Sequence, residues 1–232
     1  MSNNKFRLEI GTTDVLSFAA FIVSLFALYI SAKQLWVQQG QFDSQKKENQ
    51  PIFEIMMNLD KVGNDSIEDT YILSIKNIGR EAQSIESIRC ETFIKFDEWY
   101  YQDHQTLYVP IIDFFASHGD QPKLIGEVIT DVTVGNNIEL SRFCKECADN
   151  SLSLNRFTCL LINFTIISYT DVYDESHTVF FENSQKCSKE YYDDVVKKSR
   201  DDFKENYYRI GDLQFENLKS YCRIDKTRKM AR

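Results

Sequence analysis

The sequence predicts a mainly β fold: an N-terminal transmembrane helix and stalk, followed by an antiparallel β-sandwich with a C-terminal amphipathic helix. Three observations carry that expectation. Val15 to Ala32 runs for eighteen residues without a charge. Between residues 51 and 185 apolar side chains recur at every second position in short runs separated by turn residues, with little helical periodicity between them. From residue 186 blocks of acid and base alternate around apolar positions at helical spacing. The expected boundaries are an N-terminal flank 1–14, a transmembrane helix 15–32, a polar helical stalk 33–50, a β-sandwich domain 51–185, an amphipathic helix 186–210 and a basic tail 211–232.

At a rise of about 1.5 Å per residue the uncharged run spans roughly 27 Å, close to the thickness of a hydrocarbon core. Gly11, Thr12, Thr13 and Asp14 offer a breaker and N-caps before it, and Tyr29, Lys33 and Trp36 place aromatic and snorkelling side chains at its far end. A cleaved signal peptide would need a shorter apolar run ending at a small-residue cleavage site. Here Lys33 and a further helical pattern follow, so a retained anchor is expected.

Small residues fall at Ser17, Ala20, Ser24, Ala27 and Ser31, in alternating steps of three and four. That spacing is a seven-residue repeat, and small side chains let membrane helices approach closely. Gln34, Gln38, Gln41 and Gln45 continue it as a polar seam, although Gly40 weakens a continuous helix by about 1 kcal/mol. Self-association through this face is the expectation.

Basic residues flank the run on both sides, Lys5 and Arg7 before it and Lys33, Lys46 and Lys47 after it, so charge alone barely orients the chain. The six cysteines form no dense, even framework, which favours a thiol compartment and a cytoplasmic C-terminal domain. The Asn163 sequon lies in an apolar run, and the one at Asn64 carries no weight outside a secreted chain.

After Pro51, Phe53, Ile55, Met57 and Leu59 alternate with polar positions, and Tyr71, Leu73 and Ile75 repeat the pattern. Asn77, Ile78 and Gly79 make a turn signal, and extended segments are expected through Phe96, across Leu107–Phe115 and across Leu124–Val134. Phe157–Tyr169 is strongly apolar, but its thirteen residues would span only about 20 Å as a helix. A central strand covered on both faces is expected, with a second membrane segment as the alternative. Asp171–Glu175 then turns the chain into a return strand from His177 to Phe181. The amphipathic helix is expected to end at Gly211. The tail's six basic residues from Lys219 suit either solvent or an anionic lipid surface.

A net charge of −8 argues against general nucleic-acid binding through a basic surface, and no direct nucleic-acid binding is expected. There is no phosphate loop, nucleophile elbow or metalloprotease helix, and the three histidines are scattered. No cofactor and no catalytic residue is assigned, so an enzyme is not expected. Cys144 and Cys147 could hold half of a metal site, with Cys159, His177 or Cys187 completing it only if folding gathers them. The acids of Asp171-Val-Tyr-Asp-Glu are better explained by turn formation than by metal or acid–base chemistry. Trp99, Tyr100 and Tyr101 beside Asp97 and Glu98 are read as packing rather than a ligand platform.

The stalk entering through Lys47-Glu-Asn-Gln-Pro51, then Ile75-Lys-Asn-Ile-Gly-Arg-Glu-Ala82 and Ile167-Ser-Tyr-Thr-Asp171, behind a single N-terminal membrane helix, resembles a loose group of small bacterial membrane-anchored β-sandwich proteins. Some proteins of this look are retron-associated transmembrane effectors of antiviral defence. The resemblance implies an inner-membrane effector of an antiphage, abortive-infection system. It would be controlled by a regulatory protein or nucleoprotein complex from its own operon, and would act on membrane lipid by helix association. The alternative is a non-toxic, membrane-tethered β-sandwich that scaffolds or binds a partner.

Overall fold

The computed structural model describes residues 11–61, 69–100, 103–115, 126–133, 136–151, 155–204 and 206–222. It separates into two units, one through Asn49 and one from Gln50 onward.

The first unit is helix α1, Thr12–Glu48, about 55 Å long at the helical rise. It is long and apolar enough to cross a membrane, with a mean hydropathy of 2.3 in its most apolar window and none of that window buried. The helix runs without a break across residue 32, where the expected membrane segment would end and the expected stalk begin. Gly40 sits inside the helix with open space where a Cβ would stand, so it costs propensity without interrupting the ladder. Lys46 and Lys47 in the last turn complement the helix dipole.

The second unit is organised on two long strands. β3 (Ser84–Tyr100) and β6 (Asn155–Thr170) pair antiparallel from Ser84 opposite Thr170 to Tyr100 opposite Asn155. Around them lie β4 (Asp103–Ile112), β7 (Ser176–Glu182), β8 (Gln185–Cys187) and β9 (Tyr208–Arg209), giving a six-stranded sheet in the order β8-β7-β6-β3-β4-β9. Every pairing in it is antiparallel except the short β4–β9 contact. A smaller antiparallel sheet has the order β1-β2-β5, from β1 (Phe53–Lys61), β2 (Asp69–Asn77) and β5 (Gly126–Thr133).

Side-chain alternation along β3 and β6 assigns two faces. On one, Phe93, Ile162 and Phe164 pack with Val195 and with Tyr191, Tyr192 and Val196 of α3 (Lys189–Phe203). On the other, Phe53, Ile55, Leu73 and Ile75 of the small sheet share a core with Ile167, Tyr169 and Phe181. Beside that core, Ile94, Phe96, Leu107 and Val109 pack with Leu140, Phe143 and Cys147 of α2 (Asn136–Asp149) and with Leu213, Phe215 and Leu218. Leu161 to Ile167 are all buried, because both faces of β6 are covered. Phe157–Tyr169 is therefore a strand, and the alternative of a second membrane helix falls.

The corner between the small sheet and β3 explains one of the quoted sequence motifs. Asn77, only 2 % exposed, accepts from the Ile52 and Gly79 amides at 3.3 and 3.1 Å and donates to the Arg80 carbonyl at 2.9 Å. A Cβ on Gly79 would lie 2.4 Å from the Ile52 nitrogen, so this crossing needs glycine for its close approach. Ala82, fully buried, follows at once.

Three expectations need correction. Helix α2 occupies residues expected to hold little helix. Its buried positions Asn137, Leu140, Phe143 and Cys147 follow the helical period, a signal that a search for period-two strands overlooks. The amphipathic helix is shorter than 186–210: Lys186 and Cys187 belong to β8, and α3 stops at Phe203, where Lys204 caps it in the left-handed region with φ 48°. Gly211 lies instead in a 3-10 turn, Ile210–Asp212. The segment read as the start of a tail enters the core through Leu213, Phe215, Leu218 and Cys222, with a short helix α4, Phe215–Lys219, between them. Most of the basic residues of that tail lie outside the described residues.

Candidate functional site

Ser17, Ala20, Ser24, Ala27, Ser31, Gln34, Gln38, Gln41 and Gln45 all lie within α1. They occupy alternating three- and four-residue steps of one uninterrupted helix, and all are exposed. On a straight helix a seven-residue repeat drifts by about 20° per heptad, so roughly four heptads would turn the stripe by about 80°. A left-handed supercoil with a second helix removes the drift and keeps the stripe at the contact. The Ser24 hydroxyl donates to the Ala20 carbonyl at 2.8 Å, so it needs no other partner to sit in an apolar medium. Val15, Leu16, Phe18, Phe21, Leu25, Phe26 and Leu28 present bulky apolar side chains elsewhere on the same span, as lipid contact requires.

The candidate thiols are partly gathered. Cys144 and Cys147 stand on consecutive turns of α2 and meet Cys159 of β6, all three at the edge of the core beneath α2. A hydrogen bond with Cys159, burial and the neighbouring thiol push the Cys144 thiol far up. Cys144 lowers Cys159, but Cys147 and burial outweigh it and push Cys159 up to about 12. Such thiols are protonated and slow to react at neutral pH. None of the six cysteines is in a disulfide, and neither His177 nor Cys187 belongs to this cluster.

Asp171 organises the β6–β7 turn. Fully buried, it accepts through Oδ1 from the backbone N–H of Tyr173 and Glu175 at 2.8 and 3.0 Å, while Oδ2 lies 2.9 Å from His177 Nε2. Burial pushes its carboxyl up. The Glu175 amide, His177 and the Tyr173 amide together outweigh that and hold it below the usual carboxylate value. Asp171, Glu175 and His177 are close enough to share a cation, yet each Asp171 oxygen is already engaged in holding the turn. Asp174, at φ 62°, completes the tight reversal. The expected turn role of these acids is the one this geometry supports.

Trp99 lies on β3 opposite His104 of β4, with ring centroids 4.0 Å apart and nearly parallel planes. Asp97 ties the pair to the sheet, accepting from Thr106 at 2.6 Å beside His104 at 3.1 Å. Trp99 is therefore a half-exposed cross-strand packing partner, in keeping with its sequence reading.

Sequence reasoning missed a trench along α3. β4 accompanies β3 only as far as Thr92, opposite Ile111, while β6 stays paired with β3 to Ser84. The gap left by the departing strand is a cavity of about 670 Å³ lined by Arg89, Glu91, Phe93, Phe114, Val196 and Ser199, among others. Tyr192 donates to Glu91 at 2.8 Å across it, and Asp113 faces Arg209 at 3.5 Å. Arg89 and Arg200 both border the trench and form no ion pair with any described residue. The lining comes from β3, β4 and α3, so no local motif marks it in the sequence.

No protein-family model matches this chain, and no curated protein matches its sequence.

Proposed function

We propose that the protein is a single-pass inner-membrane effector of a bacterial antiphage system that acts when copies of α1 associate and perturb the bilayer. The observation that carries this reading is the unbroken heptad stripe of nine small and amide side chains through both halves of α1. Small residues allow close helix approach inside the membrane, and the glutamine amides extend the same seam where water is present. The sheet-rich unit is then a cytoplasmic β-sandwich-like control domain, silenced by a regulatory protein or nucleoprotein complex until infection. Its position on the cytoplasmic side is supported by six cysteines outside any disulfide.

The test is induced expression in bacteria, alone and with genomic neighbours, while growth and a membrane-potential dye are followed. Depolarisation and growth arrest are expected for the chain alone, with relief by a neighbour. Ser24→Leu or Ala27→Leu should abolish toxicity while the protein stays in the membrane fraction. Full toxicity in both variants overturns the association mechanism.

The trench favours a second reading, a non-toxic tethered module that binds or scaffolds a partner, because a formed cavity of ligand-binding size is itself a binding feature. Intact membranes under every condition, with the protein confirmed present, would select that reading.

A further inference from the structure

We infer that Asp171, Glu175 and His177, at the β6–β7 turn, form a three-ligand site for a divalent transition-metal ion of the zinc class. One donor atom from each lies within 4.8 Å of the other two. The set joins one imidazole to two carboxylates. Zinc accepts that combination in sites that a water molecule completes, whereas magnesium and calcium favour oxygen alone.

The geometry lets the turn and the ion coexist. Asp171 holds the backbone through Oδ1, which accepts from the Tyr173 and Glu175 amides. Oδ2 faces His177 Nε2 at 2.9 Å, so its partner there is itself a ligand group. Tetrahedral ligands about 2.0–2.1 Å from zinc stand about 3.3 Å apart, so this pair opens by roughly 0.4 Å as the ion takes the place of the proton between them. The displaced proton passes to solvent. Glu175 draws in by no more than about 1.5 Å to reach the same separation, and its side chain is exposed. The His177 side chain is 26 % exposed and that of Asp171 is fully buried, so the ion enters from the His177 and Glu175 side.

Two further observations, separate from the hydrogen bonds within the cluster, favour a cation. The imidazole is fixed by packing: His177 lies opposite Tyr169 in the β6–β7 register and stacks on its ring, with centroids 5.2 Å apart and 28° between the planes. A ligand whose orientation is already locked by its surroundings loses little freedom when it binds. Charge is unbalanced as well. Asp171, Asp174 and Glu175 crowd into one turn, and the chain from Phe157 to Gln185 holds no lysine or arginine. Asp171 is buried yet held below the usual carboxylate value, and a buried carboxylate is stabilised by a metal that it coordinates.

The test is calorimetric titration of the full chain in detergent, first stripped of metal with a chelator, with zinc chloride. One zinc ion per chain is expected at this site, and x-ray absorption at the zinc edge should show oxygen and nitrogen ligands at about 2.0–2.1 Å with no sulfur at about 2.3 Å. Glu175→Gln and His177→Gln should each weaken binding by at least about tenfold. Glu175→Gln is at an exposed position and keeps the backbone N–H that Asp171 needs, so it tests coordination with the turn intact. Absence of zinc binding at micromolar concentration overturns the inference, as does native affinity in either variant. Sulfur in the shell would assign the ion to the thiols of α2 and β6 and overturn it too. Tighter binding of magnesium or calcium than of zinc would show that the imidazole takes no part, with the same consequence.

Discussion

Replacing Asp171 by alanine should destabilise the sheet-rich unit by about 2–4 kcal/mol. The side chain is fully buried and makes three hydrogen bonds, two from backbone amides and one with His177. A hydrogen bond to a charged group contributes about 1.5–3 kcal/mol. The effect falls below a simple total because Glu175 is exposed and Tyr173 and His177 are half-buried, so water can reach their freed donors. With a urea slope of about 2 kcal/mol/M, the unfolding midpoint should fall by about 1–2 M. The pH dependence follows from the sign of the shift. Asp171 has a lowered folded-state value, so its stabilisation is present above its unfolded value, 3.8, and is lost as pH falls through the lower folded one. Asp171→Ala should flatten the acid limb of the stability profile below about pH 4, and Asp171→Asn should flatten it while keeping the Oδ1 acceptor and part of the lost stability. Urea unfolding of the full chain in detergent, followed by circular dichroism from pH 3 to 7, measures both. A loss under about 0.5 kcal/mol, or an unchanged acid limb, would refute the assignment of the turn's stability to this carboxylate.

Gly79→Ala should cost about 2 kcal/mol or more, because the new methyl meets Ile52 backbone rather than a movable side chain; the same urea titration checks it. Cysteine crosslinking along the stalk should separate seam from lipid-facing or solvent-facing positions: Gln38→Cys and Gln45→Cys should crosslink in membranes far more efficiently than Val37→Cys or Phe42→Cys, and equal yields would remove the seam. Alkylation of the native fold with iodoacetamide should leave Cys144 and Cys159 slow at pH 7.5, since the Cys159 contact and burial keep Cys144 protonated while Cys147 and burial keep Cys159 protonated; labelling of either as fast as in the urea-unfolded chain would contradict that placement.

The parts of the fold legible in the sequence are those where one side chain's burial depends on its immediate neighbours. The uncharged stretch from Val15, the alternation of Phe53, Ile55 and Met57, and the apolar β6 each declare their environment locally. Asp171 was legible too, because an aspartate opening a hairpin turn bonds to amides only two and four residues on. What was not legible depends on distant chain. Phe215 is held by Phe157 and Phe96, at centroid distances of 4.7 and 6.2 Å, and neither contact leaves a trace near residue 215. The end of α3 depends on Lys204 adopting a left-handed conformation, which a pattern search assigns to glycine first. Cys159 joins Cys144 and Cys147 because α2 lies over β6, a tertiary fact with no spacing rule behind it.

The same division separates the two functional readings. The seam on α1 is a one-dimensional feature: its residues share a face by helical repeat alone, and a single exposed helix leaves that face available to another copy. The trench is a three-dimensional feature, created because β3 outlasts β4 by the length of Ser84–Glu91 and α3 covers the step. Burying Asn163 in the middle of β6, bonded to Thr92 on β3, fixes that step in place: a slip of one residue would turn its amide from Thr92 toward the opposite face. Register in the core therefore sets where the sheet edge opens. Asn163→Val should lower the urea unfolding midpoint of the sheet-rich unit, because it leaves the buried Thr92 hydroxyl without its partner, while crosslinking along α1 stays unchanged, because the seam owes nothing to the sheet.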